Sequence, residues 1–361
     1  MNRKLYLDLA ASGLRMPIGT DLILHENPDP ERVLEDGRRL GQTVERAARR
    51  VGSPLALPLM DLRLEKRDLL HAMGHEGLDV DFFHFHHAPG EDQIERLRES
   101  VPLPLSKRTQ AHLDAIRYIA GIADLIPVGM AIGPFSLMTK LVADPITAIA
   151  LAGMGVRPED DPGVLSIHRC LALARMAVSR SLAAQVDAGA AAIMICEPAA
   201  NRVYLSPKQI RAGADILERF VIEPHLELKG QLAAAGVDLV FHDCGELTDS
   251  MVEQFAARLD PAILSLGSSR QLWNDARLVP KNVVLFGNLP TKTFYSDAAM
   301  PDEKVESLTK ELIARMREAG HPHILGSECD VLHVPDHAAA IRRKVDIMLH
   351  CPEPARVSPA S

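Results

Sequence analysis

From about residue 120 onward, short apolar runs alternate with long amphipathic stretches, and this alternation constrains the fold more than any other feature of the chain. The runs are PVGMAIGPF (127–135), AAAIMICEP (190–198), VDLVFHDCG (237–245), AILSLGSS (262–269), NVVLFGN (282–288) and PHILGSEC (322–329), with an earlier candidate in PLALPLMDL (54–62). An unbroken apolar run between helical stretches reads as a strand covered on both faces, hence a strand of a parallel sheet. Seven or eight such strands, each followed by a helix, over roughly 250 residues have the rhythm of an α/β fold closed as a (β/α)8 TIM barrel. An open doubly wound sheet is the competitor, but no run is followed by a G-x-G-x-x-G phosphate turn.

Helix signals fill the intervals. Ser206-Pro207-Lys208-Gln209 is a capping box with Pro at the first helical position, and it opens a helix that Pro224 should interrupt. Asp302 to Ala319 carries Val305, Leu308, Leu312 and Met316 on one stripe, with Gly320 as a stop. Residues 1–115 are charged, with ENPDPERVLEDGRRLGQTVERAARR reading as an exposed helix that starts near Pro28 to Pro30. The expected layout is a mostly helical extension over 1–115, a catalytic barrel over 116–351 and a flexible tail over 352–361.

The composition narrows the function. With 361 residues, 47% of them hydrophobic, the chain can bury a full core, while 40 Lys+Arg against 48 Asp+Glu leave a net charge of −8. That charge offers no general attraction for a nucleic-acid backbone, so nucleic acid is not expected as a ligand. No apolar run reaches the roughly 18 residues of a membrane span, and the start, MNRKLYLDLAASG, lacks a signal-peptide core, so a cytoplasmic protein without a membrane partner is expected. Five cysteines are too few and too scattered for a disulfide framework and fit a reducing compartment.

In such a barrel the catalytic groups sit at the carboxyl ends of the strands, and the apolar runs end in unusual residues: Gly133-Pro134-Phe135, Glu197-Pro198, His242-Asp243-Cys244-Gly245, Ser265 to Ser269, Gly287-Asn288 and Glu328-Cys329-Asp330. The sharpest constellation is His242-x-Cys244 with Cys329 arriving on a later strand. In an extended strand His242 and Cys244 point to one side, so three ligands converge and leave a fourth position open, the arrangement of a catalytic zinc. The spacing also suits two buried cysteines packed as small hydrophobes with His242 hydrogen-bonded beside them. Two thiolates and a neutral imidazole cancel the charge of Zn2+, which favours alkyl transfer at sulfur over hydrolysis. Glu197 is a candidate general acid, substrate anchor or partner for the ligating histidine; Asn288 and Asp61 are further catalytic candidates. His84 and His86, in DFFHFHHAP, would share a face if that segment were a strand, although a helical or loop cap with exposed histidines is the favoured reading.

With these residues in view, the sequence resembles the uroporphyrinogen decarboxylase family, and within it the zinc-dependent, corrinoid-linked methyltransferase branch. The likeness runs from about Pro54 to Cys351 through PLMDLRLE, IGPFSLMTKL, DAGAAAIMICEPAANRVYLSPKQI, HDCGEL, LFGNLPTKTF and ILGSECDVLHVPDH. The resemblance implies a barrel, a zinc ion held by His242, Cys244 and Cys329, and methyl transfer between a corrinoid and a small thiol acceptor or a methyl ether or thioether donor. The arginine-rich opening with which tetrapyrrole decarboxylases grip their substrate has no counterpart here, which disfavours the alternative of a metal-free decarboxylase; a barrel that only binds a small molecule is the non-catalytic alternative. Some methyltransferase members carry an acid about twenty residues after His-x-Cys, where this chain reads LSLGSSRQL, leaving the fourth ligand to water, substrate, Glu197 or Glu328. The corrinoid-binding pattern D-x-H-x-x-G is missed by one residue at Asp68 to Gly74, so the corrinoid is expected on a separate protein.

Overall fold

The computed structural model describes residues 2–75, 77–99 and 105–353. Eight strands, β1 (Arg15–Ile18), β2 (Leu55–Ala56), β3 (Ile126–Ile132), β4 (Ala192–Cys196), β5 (Asp238–Asp243), β6 (Ile263–Leu266), β7 (Val284–Leu289) and β8 (His323–Asp330), run parallel in the order β1-β8-β7-β6-β5-β4-β3-β2. With helices around it, the sheet forms a (β/α)8 barrel. Residues in and beside its end strands meet: Thr20 Oγ1 donates to the Leu57 carbonyl at 2.7 Å, and Ser53 Oγ lies 3.3 Å from Met16 Sδ.

All seven candidate runs contain strands, but the sheet begins earlier than expected: both β1 and β2 lie before residue 116, so the N-terminal third supplies barrel staves as well as helices. β1 is four residues with a proline, too short to show a period. The anticipated exposed helix is two, Pro30–Val33 and Gly37–Arg50, because Asp29 and Asp36 each cap a separate start by accepting from the backbone N–H three residues on. The helix opened by Ser206 ends at Arg211, long before Pro224, and Pro224 does not stop the next one. The wider π turn of Glu218–Ile222 leads straight into Glu223–Ala234, and Pro224 lies in the first turn, where no intrahelical N–H is required. Asp302–Ala319 ends as expected at Gly320, whose φ of 58° is left-handed. Most of the tail expected to be flexible, from residue 354, lies outside the described residues.

Strand alternation sorts the core into two layers. Ala192, Met194 and Cys196 of β4 and Val240 of β5 face the barrel interior, while Ile193, Ile195, Leu239 and Phe241 pack outward against the helices. His242 has the parity of Val240 and therefore points inward. No helix among the described residues is long and apolar enough to cross a membrane.

One buried acid carries a stability consequence. Glu65, in the helix Leu64–Ala72, accepts from Ser181 Oγ at 2.8 Å, and burial pushes its carboxyl up to about 7. The folded state thus prefers the protonated form, so this group's contribution is full below the unfolded value near 4.5 and is lost as pH rises through 7. From the shift, the loss is on the order of 3 kcal/mol. Glu65→Gln should flatten that part of the profile, read as denaturant midpoints of both proteins between pH 5 and 8; parallel profiles would contradict the assignment.

Candidate metal centre

The carboxyl ends of β5 and β8 bring His242, Cys244 and Cys329 together, with one donor atom from each lying within 4.8 Å of the others. Among the described residues this is the one group of at least three His, Cys, Asp or Glu side chains so arranged. His242 is 1% exposed, and its Nδ1 lies 2.8 Å from Ser265 Oγ on β6. With Nδ1–H donating to that hydroxyl, Nε2 carries the lone pair, and Nε2 is a buried nitrogen with no hydrogen-bond partner in the protein. An orphaned, oriented imidazole nitrogen beside two thiols is what a metal ligand set requires before the metal is bound.

Local chemistry sets each ligand. At the end of β5, Asp243 Oδ1 accepts from Gly245 N at 2.8 Å, an Asx turn that fixes the backbone around Cys244. Gly267, after β6, lies against that turn: a Cβ there would stand 2.6 Å from the Cys244 carbonyl oxygen. On β8 the pairing with β1 shifts from Met16↔Gly326 to Ile18↔Asp330, so two steps of β1 are matched by four of β8. Ile324 faces the interior and Leu325 faces outward, so strict alternation would turn Cys329 away; the irregularity re-aims it at His242.

The two thiols act on each other. A hydrogen bond from Cys244 holds Cys329 well below an ordinary thiol, while Cys244 is raised by the same bond and by burial. The hydrogen bond thus favours the thiolate form at Cys329, the form that binds a cation. Burial opposes the charge of Lys292, in the loop after β7, but the facing sulfurs and Glu328 raise its ammonium above the ordinary value.

The other sequence candidates are placed differently. Glu197 is fully buried and accepts from the backbone N–H groups of Phe135, at 3.2 Å, and Ser136. Burial pushes its carboxyl up to about 7. Gly133 leaves room for it, since any Cβ there would collide with the carboxylate. Glu197 therefore ties β4 to the β3 exit, and the partner of His242 is Ser265. Asn288 donates from Nδ2 to the Gly267 and Arg270 carbonyls at 2.8 and 2.9 Å, holding the loop that abuts Cys244. Asp61 is engaged by Arg63 at 2.7 Å, with Arg108 at 3.8 Å; burial works against its charge, but the arginines hold the carboxyl below its ordinary value. Glu328, the other suggested fourth ligand, accepts from Ser268 Oγ and from Lys292 N at 3.2 Å. His84 and His86 lie in a loop with rings 5.2 Å apart, outside the trio. Ser265 and Gly267 fall in the run end Ser265 to Ser269 that the sequence marks, but their individual roles, and that of Lys292, carry no distinguishing signal, because serine, glycine and lysine are common at strand exits.

Ser265→Ala should keep the trio but release the imidazole, weakening metal binding by about 10- to 100-fold, the usual effect of removing a histidine's outer partner. Chelator competition measures this; an unchanged affinity would show that packing alone orients His242.

The sequence model of the uroporphyrinogen decarboxylase (URO-D) family matches residues 82–343. No curated protein matches the chain. Among solved structures, a methyltransferase from Methanosarcina mazei superposes with a TM-score of 0.64 at 16% identity, covering 95% of this chain and 98% of that one. At that identity the likeness concerns the fold.

Proposed function

The chain belongs to the uroporphyrinogen decarboxylase family, and from that premise we propose that it is a zinc-dependent methyltransferase acting between a corrinoid on a separate protein and a small substrate. The observation that carries this reading is the convergence of His242 Nε2, Cys244 Sγ and Cys329 Sγ at the barrel mouth, with the histidine nitrogen buried and unpartnered. That the Methanosarcina mazei neighbour is a methyltransferase agrees with it.

Bound zinc would supply a Lewis acid whose charge, largely cancelled by two thiolates, lowers the pKa of a substrate thiol while leaving its sulfur nucleophilic. The chain's own residues do the rest. His242, Cys244 and Cys329 would supply three corners of the site, Ser265 fixes the imidazole, and Lys292 adds positive charge beside the sulfurs. The substrate is a thiol acceptor or, in the reverse direction, a methyl ether or thioether donor. All five cysteines are free thiols, in keeping with a cytoplasmic enzyme. The decarboxylase alternative would turn on Asp61, and that carboxylate is already engaged by Arg63 and Arg108.

The test is elemental analysis of the purified protein, followed by methyl transfer from a methylated corrinoid to a small thiol, read as the corrinoid absorbance change. About one zinc per chain and thiol-dependent demethylation are expected. A protein that stays zinc-free after reconstitution under reducing conditions would sink the reading.

A further inference from the structure

We propose that Met60 is the fourth ligand of this centre: its thioether closes the metal site at rest and yields its place to the substrate's sulfur. The inference rests on the zinc reading above and names the corner that the three-residue motif leaves open.

Three observations meet here. Met60 Sδ lies 4.0 Å from Cys329 Sγ. With zinc–sulfur bonds of about 2.3 Å, two sulfurs on one tetrahedral zinc stand about 3.8 Å apart, so the observed separation is close to what two ligands sharing one ion require. Second, among the described residues no acid joins the trio, and the two glutamates at neighbouring strand ends are committed elsewhere. Glu197 is held by the Phe135 and Ser136 backbone and Glu328 by Ser268 and Lys292, and neither joins the His242/Cys244/Cys329 group. Third, the chain delivers Met60 to the right place. Beyond β2, Leu57 packs into the barrel interior and Leu59 into a separate outer cluster, while Met60 returns to the interior cluster below the mouth.

The choice of a thioether has a chemical consequence. Zn2+ with two thiolates and a neutral imidazole is already uncharged; a neutral thioether keeps it so, whereas a carboxylate would make it anionic. An incoming thiol must lose its proton to solvent and arrive as an anion, and a neutral centre accepts that anion more readily than a negative one. The exchange is ligand for ligand: the bond to Met60 Sδ breaks as the bond to the substrate sulfur forms, with no change of oxidation state. A weak, soft, flexible donor suits a position that must open in every turnover. The same softness favours a sulfur substrate over an ether oxygen.

The experiment is X-ray absorption at the zinc edge on the intact protein, without substrate and in thiol-free buffer, in three forms: wild type, Met60→Leu and selenomethionine-labelled wild type. The proposal expects three sulfurs and one nitrogen in the wild type, two sulfurs and two light atoms in Met60→Leu, and a selenium in the first shell of the labelled protein. The label needs no substitution, so it decides the matter even if Met60→Leu misfolds. A first shell without selenium overturns the proposal; if that protein still holds one zinc per chain, the zinc reading survives and the 4.0 Å contact is ordinary sulfur packing. A wild type that takes up no zinc overturns both.

Discussion

Cys244→Ser protein should purify with less than about a tenth of the zinc of the wild type and lose methyl transfer by at least about a hundredfold, since removing even an outer partner of a metal ligand typically costs 10- to 100-fold. Cys329→Ser should do the same. The argument is geometric. Cys244 follows β5 and Cys329 lies on β8, with β6 and β7 between them in the sheet, and each supplies one corner of a three-residue set whose donors lie within 4.8 Å. Serine keeps the size of the side chain but offers a neutral hydroxyl, a far poorer ligand for a borderline-soft ion than a thiolate. Both variants should fold, because Cys244 and Cys329 lie at the half-exposed mouth rather than in the core. The pair is read out by elemental analysis beside circular dichroism. Full zinc content in either serine variant would remove that cysteine from the site.

Gly267→Ala should weaken zinc binding by at least about tenfold without touching a ligand. The new Cβ would stand 2.6 Å from the Cys244 carbonyl oxygen and 2.9 Å from its Cα, and both atoms are backbone, so no flexible side chain can yield. The neighbouring anchors oppose movement of the Gly267 side: Asn288 Nδ2 holds the Gly267 carbonyl at 2.8 Å. The clash therefore falls on the Asx turn that positions Cys244. Overpacking of this kind costs about 1–3 kcal/mol, and a displacement of even part of an ångström matters in a ligand set. Zinc competition titration on the folded variant measures it. An unaltered affinity would mean that the turn absorbs the methyl group elsewhere, and that Gly267 serves only the chain path after β6.

How much of this was legible beforehand varies by residue. His242, Cys244 and Cys329 could be read because three unusual residues end apolar runs, and a barrel sends the ends of such runs to one rim. Glu197 was equally conspicuous by the same rule and has another task. The rule says which end of the strand a residue occupies, and not whether its side chain turns to the mouth or back under the next helix. Gly133, just past the end of β3, is what lets the Glu197 carboxylate turn back. Asn288 likewise spends its amide hydrogens on two carbonyls. Ser265 and Lys292 act by position alone.

By itself the sequence determined the strand runs, the parallel barrel and the residue types of the centre, because apolar period, capping and chain rhythm are local properties that survive in any tertiary arrangement consistent with them. Only the tertiary structure decided which short segment completes the sheet and which donors meet. β1 needs β8 beside it to be a strand at all, since four residues including a proline carry no pattern of their own. Cys329 reaches His242 through a pairing irregularity against that same strand. Met60 comes within 4.0 Å of Cys329 only because the two ends of the sheet curl around to each other. Convergence of this kind depends on register and closure, which are properties of pairs of distant segments and are written in no single stretch of sequence.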